Sequence, residues 1–162
     1  IGGGSEKVLL FDKRNKKLAQ RGMQLRVKEW RIRPGTVSTV TLKAPHKKGG
    51  STRPVLSEVE VLTTGGPKYK KMQEVEVGVS DARTMAEIFE GAGFVEWFRY
   101  TKHRERWKHR GVTVELDTLK DGRQFVEIEA TERHIRNTAK LLGLDMKTAI
   151  TKGYISLVRG EK

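Results

Sequence analysis

The chain contains no cysteine, which excludes disulfides, thiolate metal centres and a cysteine nucleophile. It leaves the redox compartment undetermined. Its four histidines, His46, His103, His109 and His134, lack any ligand spacing such as His-Glu-x-x-His, so zinc is not expected. No apolar run approaches the roughly 18 residues of a membrane span, and no signal-peptide pattern opens the chain. A soluble intracellular protein is therefore the default, cytoplasmic unless an organelle claims it. A Walker-type phosphate loop is missing too, because Gly65-Gly66-Pro67-Lys68 lacks the spacing and reads as a turn. Nor does any Gly-x-Ser-x-Gly elbow mark a nucleophilic serine. Repeats and low-complexity tracts are absent.

What is present is charge. Within 162 residues, 33 Lys and Arg stand against 20 Asp and Glu, a formal charge of +13. The length suits one domain over residues 1–162, able to bury roughly 70% of its unfolded surface. The charge favours a polyanionic partner: nucleic acid, polyphosphate, a nucleotide or an anionic surface. The chain starts at Ile1 without a methionine, so the true N-terminus is expected upstream.

The charges are ordered. Leu25–Lys28, Val40–Lys43, Glu58–Val61, Glu74–Val77, Lys102–Arg106, Val112–Asp117 and Glu127–Glu129 alternate apolar or neutral residues with polar or charged ones. Period two predicts strands. Arg26 with Lys28, and Lys102 with Arg104 and Arg106, make basic faces; Glu58 with Glu60, Glu74 with Glu76, and Glu127 with Glu129 make acidic ones. Like charges two residues apart repel, so something must compensate them. An enclosed channel holding polyphosphate on basic walls and metal ions on acidic walls would do so.

Residues 1–6 read as a flexible glycine loop, Lys7–Phe11 as a strand, and Asp12–Gln20 as a basic connector turning helical before Gly22. Met23–Trp30 and Thr36–Lys43 form a hairpin across Arg31–Gly35. Glu58–Val61 and Gln73–Val79 form another. Ser80 reads as the N-cap of a helix presenting Ala82, Met85, Ile88 and Phe89 on one face and ending at Gly91 and Gly93. Phe94–Trp107 is a long strand or pair of strands. Val112–Asp117 and Arg123–Ala130 pair across Lys120-Asp121-Gly122. Thr131 caps a helix carrying Ile135, Ala139 and Leu142, and a last helix carries Ala149, Ile150, Tyr154, Leu157 and Val158. The class predicted is an antiparallel α+β domain.

Glu127 and Glu129 on one strand face are candidates for a shared site for Mg²⁺ or Mn²⁺, since oxygen-only clusters suit hard cations; they equally suit the wet side of an open sheet. Arg26, Lys28, Lys43, Lys102, Arg104 and Arg106 could converge on phosphate or form a solvated basic surface. Asp117 is a metal ligand, a general base, or a strand-end residue starting a turn. Aromatics interleaved with cations over Trp97–Trp107 suit base stacking, although Trp97 and Trp107 lie opposite the basic face, where core or helix packing is the commoner role.

In order, these segments resemble the CYTH superfamily of triphosphate tunnel metalloenzymes, which includes class IV adenylate cyclases, thiamine triphosphatases and inorganic tripolyphosphatases. Leu10-Phe11-Asp12 with Leu18–Val27 is similar to its Tyr-Phe-Asp-Thr-Pro and Gly-x-x-Leu-Arg-x-Arg region, with Lys28 replacing the last Arg and the Thr-Pro lost. Thr41–Pro45, Gln73–Val77, Gly91–Phe94, Lys102–Trp107, Val114–Asp117, Phe125–Glu129 and Thr151–Leu157 resemble later family segments. The resemblance implies an eight-stranded antiparallel β-barrel, a tunnel with a charged lumen and helices packed outside. The family's N-terminal Glu-x-Glu-x-Lys strand has no counterpart, so the first strand is expected to be missing; Leu62 stands where Glu58-Val59-Glu60 would need a Lys. Residues 46–72 read as an inserted basic loop.

The function this implies is metal-dependent hydrolysis of a triphosphate: tripolyphosphate, thiamine triphosphate or a nucleoside triphosphate. Arg26, Lys28, Lys43, Lys102, Arg104 and Arg106 would bind phosphate, Glu76, Glu127 and Glu129 the metal, with Glu74 or Asp117 assisting. An adenylate cyclase on the same scaffold is one alternative. Another is a degenerate domain that docks on RNA, or within a ribonucleoprotein, through its basic surface. The sequence sets no oligomeric state.

Overall fold

The computed structural model describes residues 2–45, 57–62, 69–150 and 153–160, with only the backbone course for 57–62 and 69–71. The strands are β1 (Gly2–Asp12), β2 (Gln24–Ile32), β3 (Gly35–Pro45), β4 (Ser57–Leu62), β5 (Tyr69–Val79), β6 (Val95–His109), β7 (Val112–Leu119) and β8 (Gln124–Glu129). They join in one sheet ordered β4-β5-β3-β2-β1-β6-β7-β8. The registered pairs β1–β2, β2–β3, β3–β5 and β7–β8 are antiparallel. Helices α1 (Ala82–Gly91), α2 (Glu132–Leu141) and α3 (Tyr154–Arg159) complete the α+β class expected. Two compact units form, one from Gly4–Glu58 with Met72–Lys102, the other from Ile1–Gly3, Val59–Lys71 and His103–Lys162.

In the first unit the sheet pleat sorts side chains cleanly. Leu9, Phe11 and Val27 point to one face and are buried there with Ala82 of α1, joined by Met85, Ala86 and Phe89. The Phe11 and Phe89 rings meet edge to face with centroids 5.4 Å apart, a favoured aromatic geometry. Residues of the opposite parity include the charges described below, with Val8 and Leu10 of β1 buried beside them. In the second unit, Ile128 of β8 meets Ile135 and Ala139 of α2 in a smaller core.

Several local expectations are corrected. The glycine run is strand, not loop: Gly4 pairs with Ile32, and a Cβ on Gly4 would overlap the Arg31 carbonyl oxygen. Glycine is needed there for close backbone approach, not for flexibility. The N-cap of α1 is Asp81, whose carboxylate accepts from Thr84 N at 2.6 Å, and not Ser80. Ile88 is 54% exposed, and Ala86 takes its place against the sheet. Residues 95–109 make one strand. Thr131 does stand at the N-cap of α2, but its hydroxyl meets His134 Nδ1 at 3.1 Å instead of capping the backbone. Leu142 follows α2 and is 51% exposed. Ala149 and Ile150 precede α3, after a 3-10 turn at Met146–Thr148. Trp107 is 39% exposed, and neither it nor Trp97 joins a buried core among the described residues. Most of 46–72, with Lys47, Lys48, Arg53 and Lys68, lies outside the described residues.

Truncating Phe11 removes the ring that joins β1 to α1. Phe11→Ala is expected to cost about 3–5 kcal/mol in urea unfolding, whereas Ile88→Ala should stay within about 0.5 kcal/mol.

Candidate functional site

Charged side chains in the first unit occupy the face opposite α1. Register sets Leu10, Arg26, Thr41 and Glu76 in one row across β1, β2, β3 and β5. Gln24, Lys43 and Glu74 form the next row. Lys28 Nζ donates to Glu76 Oε2 at 2.6 Å, and the Thr41 hydroxyl donates to the same oxygen at 2.6 Å. Burial opposes ionisation of Glu76, but the hydrogen bond and charge of Lys28, the Thr41 hydroxyl and the charge of Arg26 outweigh it. The carboxyl is held below its usual range.

Glu74 is buried and forms ion pairs with Lys43 and, at 3.6 Å, with Arg26 Nη2. Three cations thus share two carboxylates on this face. Arg26 Nε and the Thr39 hydroxyl are buried without a hydrogen-bond partner among the described residues. Thr39 lies directly opposite Lys28. Lys102, also in this unit, is 3% exposed and pairs with Glu6 at 3.3 Å. Glu6 escaped the sequence reading because it sits in the segment taken as a loop.

The second unit reverses the balance. Glu115 stands opposite Glu127, and Thr113 opposite Glu129, so β7 and β8 present Glu115, Asp117, Glu127 and Glu129 on one face. Glu115 and Asp117 are wholly buried. Arg104 is the hub. Its Nε donates to Asp117 Oδ1 at 2.6 Å, and its Nη2 to Asp117 Oδ2 at 2.5 Å and Glu127 Oε2 at 2.6 Å. Its Nη1 pairs with Glu115. Arg106 reaches Glu115 Oε1 at 2.5 Å. Burial, reinforced by the charges of Glu127 and Glu129, outweighs the attraction of Arg104 and Arg106 and raises the Glu115 carboxyl to about 7.

Asp117 is mid-strand rather than a turn starter. Besides Arg104 it accepts from the Tyr154 hydroxyl of α3. The Tyr154 ring packs edge to face on Phe125, centroids 6.4 Å apart, and Phe125 faces Asp117 across β7 and β8. Arg123 fastens the far end of α3, donating to the Leu157 and Val158 carbonyls at 2.6 and 3.4 Å, where a cation suits the helix dipole.

Of the residues proposed as metal ligands, Glu127 lies in the acidic group, Glu129 flanks it on the same face, and Glu76 belongs to the other unit. Among the described residues, Glu115, Asp117 and Glu127 each offer one carboxylate oxygen, and these three atoms lie within 4.8 Å of one another. Glu115 was missed, although the spacing Thr113, Glu115, Asp117 put it on Asp117's face. Cations on one strand lie beside carboxylates on the next and neutralise part of these like charges.

Each unit of this antiparallel α+β fold thus carries a cluster of paired acids and bases on its strands. The CYTH domain model matches residues 10–154, and the chain belongs to that family. No match was found among functionally curated proteins. Solved structures share the fold. A Pyrococcus horikoshii OT3 protein is 22% identical, with TM-score 0.70, over 97% of this chain and 84% of that one. A Vibrio parahaemolyticus protein described as a putative adenylate cyclase is 14% identical, with TM-score 0.72, over 98% and 82%. A Hippeastrum protein, described as a putative adenylyl cyclase with a dominant triphosphatase activity, is 17% identical, with TM-score 0.59, over 100% and 85%. Among the described residues, no helix is long and apolar enough to cross a membrane.

The pH dependence of stability follows from Glu115. Its folded value lies above the ordinary 4.5, so the folded state binds the extra proton between those values. Its contribution is fully present below pH 4.5 and is lost as pH rises through about 7. Urea unfolding from pH 5 to 8 should therefore show a steeper decline for the native chain than for Glu115→Gln.

Proposed function

We propose that the chain is a metal-dependent triphosphate hydrolase of the CYTH family. The reading is carried by Arg26: a guanidinium nitrogen, Nε, buried without an acceptor on a face where cations outnumber carboxylates. A buried donor left open in this way calls for an acceptor, and a phosphate oxygen supplies one in charge-assisted form. Lys28 and Lys43, now shared with Glu76 and Glu74, would turn part of their donor capacity to the same chain of phosphates. Lys102 belongs to the same unit and is the least accessible of its proposed phosphate-binding cations.

The donor chemistry fits a hard cation. Glu115, Asp117 and Glu127 offer clustered carboxylate oxygens, flanked by Glu129 on the same face, and no nitrogen or sulfur ligand among them. Mg²⁺ and Mn²⁺ take such ligands. Glu115, Asp117 and Glu127, with Glu129, would hold the ion; Glu76, bound to Lys28 and Thr41, serves the phosphate-binding cations instead. When bound, the metal supplies charge neutralisation for the transferring phosphoryl group. The chain's own part is to orient. Arg104 aligns Asp117 and Glu127, Tyr154 steadies Asp117, and Arg106 holds Glu115. Glu74 anchors Lys43 and Arg26.

Saturation of these carboxylates by arginines favours a second reading, a polyanion-binding domain without chemistry. Divalent metal separates the two. Phosphate release from tripolyphosphate should require Mg²⁺ or Mn²⁺ and fall by about 100-fold in Glu127→Gln, Glu129→Gln. Undiminished turnover by that variant would reject the assignment. Polyanion binding indifferent to metal, with no release, would leave the binding domain. Product analysis with ATP distinguishes phosphate release from cyclisation to a 3′,5′-cyclic nucleotide.

A further inference from the structure

A different surface of the first unit carries its own message. Between β1 and β2, residues 13–21 hold Lys13, Arg14, Lys16, Lys17 and Arg21 and no acidic residue. Such a crowd of cations ordinarily stays extended and loosely solvated. Here it is compact, and the reason is Asp12. That residue is 1% exposed. Its Oδ1 accepts from the backbone N–H of Lys13 at 2.7 Å and of Leu18 at 2.9 Å, and its Oδ2 from Ala19 at 2.9 Å.

Further bonds close the turn. Lys16 N reaches the Lys13 carbonyl at 2.7 Å, Gln20 N the Lys16 carbonyl at 3.0 Å, and Met23 N the Leu18 carbonyl at 2.9 Å. Gly22 leaves it in a left-handed conformation, φ 65°, where a Cβ would stand 3.0 Å from Pro45 Cγ. One buried carboxylate therefore folds the segment through backbone groups and leaves the neighbouring side-chain cations unneutralised. Arg14, Lys16, Lys17 and Arg21 are exposed, with no ion pair among the described residues.

Aromatic surface adjoins them. Lys13 Nζ, fixed by the Ala92 carbonyl at 2.8 Å, lies 3.7 Å from the centre of the Phe94 ring. Lys16 Nζ lies 5.9 Å from that of Trp97, which is half-buried on β6. Exposed cations on a fixed backbone turn beside a half-buried indole combine phosphate neutralisation with a stacking platform, the pairing that binds single strands without reading their sequence. A lipid surface or inorganic polyphosphate would use the cations but not the ring.

We propose that the Asp12-pinned turn, residues 13–21 with Trp97, is a binding surface for single-stranded RNA, separate from the triphosphate chemistry. Its four exposed cations neutralise backbone phosphates while Trp97 stacks a base. The turn joins β1 to β2 where Gln24 faces Lys43, so a strand lying on it runs toward the cation-rich face of the same unit.

The test uses the whole chain and a labelled oligouridylate with a 5′-hydroxyl end, without divalent metal, so that triphosphate recognition cannot contribute. Four phosphate contacts to a single strand predict a roughly fifty-fold loss of affinity between 50 and 200 mM salt. Changing Arg14, Lys16, Lys17 and Arg21 to Gln should weaken binding at least about ten-fold at low salt and flatten that dependence. An equal charge loss at exposed Lys108, Lys120, Arg133 and Lys140 of the other unit should not. Equal weakening by both sets would reduce the effect to net charge and overturn the proposal.

Tryptophan fluorescence should be quenched by the oligonucleotide and not by inorganic polyphosphate of matched charge, and the quench should vanish in Trp97→Leu. If polyphosphate binds as tightly and no quench occurs, RNA is the wrong partner. Tripolyphosphate hydrolysis on the turn variant is read alongside: its persistence with loss of RNA binding supports two separate sites, and its failure in the native chain bears only on the hydrolase reading.

Discussion

Arg104 is the interaction on which the second unit's charged face depends. Burying Glu115 and Asp117 completely would be prohibitive for bare anions, since desolvation costs several kcal/mol per ion even after relaxation. One planar guanidinium, facing Asp117 through Nε and Nη2, reaching Glu127 also through Nη2 and Glu115 through Nη1, supplies directed donors to three acids at once. A lysine could not do this, having a point charge in place of a fork. Even so the compensation is incomplete. Glu115 stays elevated because burial and two further carboxylates outweigh its two arginines.

The same principle governs the first unit with the sign reversed. Glu76 is stabilised as an anion by Lys28 and Thr41, and Glu74 divides itself between Lys43 and Arg26. Here the surplus is positive, and part of the Arg26 guanidinium is left without an acceptor. The residual charge is thus positive on the first unit's face and negative on the second's.

Much of this was legible in the chain. Period-two alternation located β2, β3, β5, β7 and β8 and assigned each charge to a face, because pleating allows only two directions for a side chain. Helix faces were read less well. Ile88 fits the apolar period but is exposed, since α1 rests on β2 and β3 through the narrower Ala82–Met85–Phe89 stripe. The glycine run was misread because composition speaks of flexibility while its actual cause, contact with Arg31, lies more than twenty residues away. Tyr154 could be placed in a helix but not against Asp117, as no local pattern links positions 37 residues apart.

By itself the sequence determined the class, the strand faces and the sign of each face, all consequences of local geometry and of the order of residue types. Only the tertiary structure decided which acid meets which base. Strand order puts Arg104 on β6 beside β7, and register sets Glu115 opposite Glu127. Partner choice is a property of strand neighbours distant in the chain. Burial, which decides whether a pair binds its proton or shares its charge, is likewise not written in any single strand.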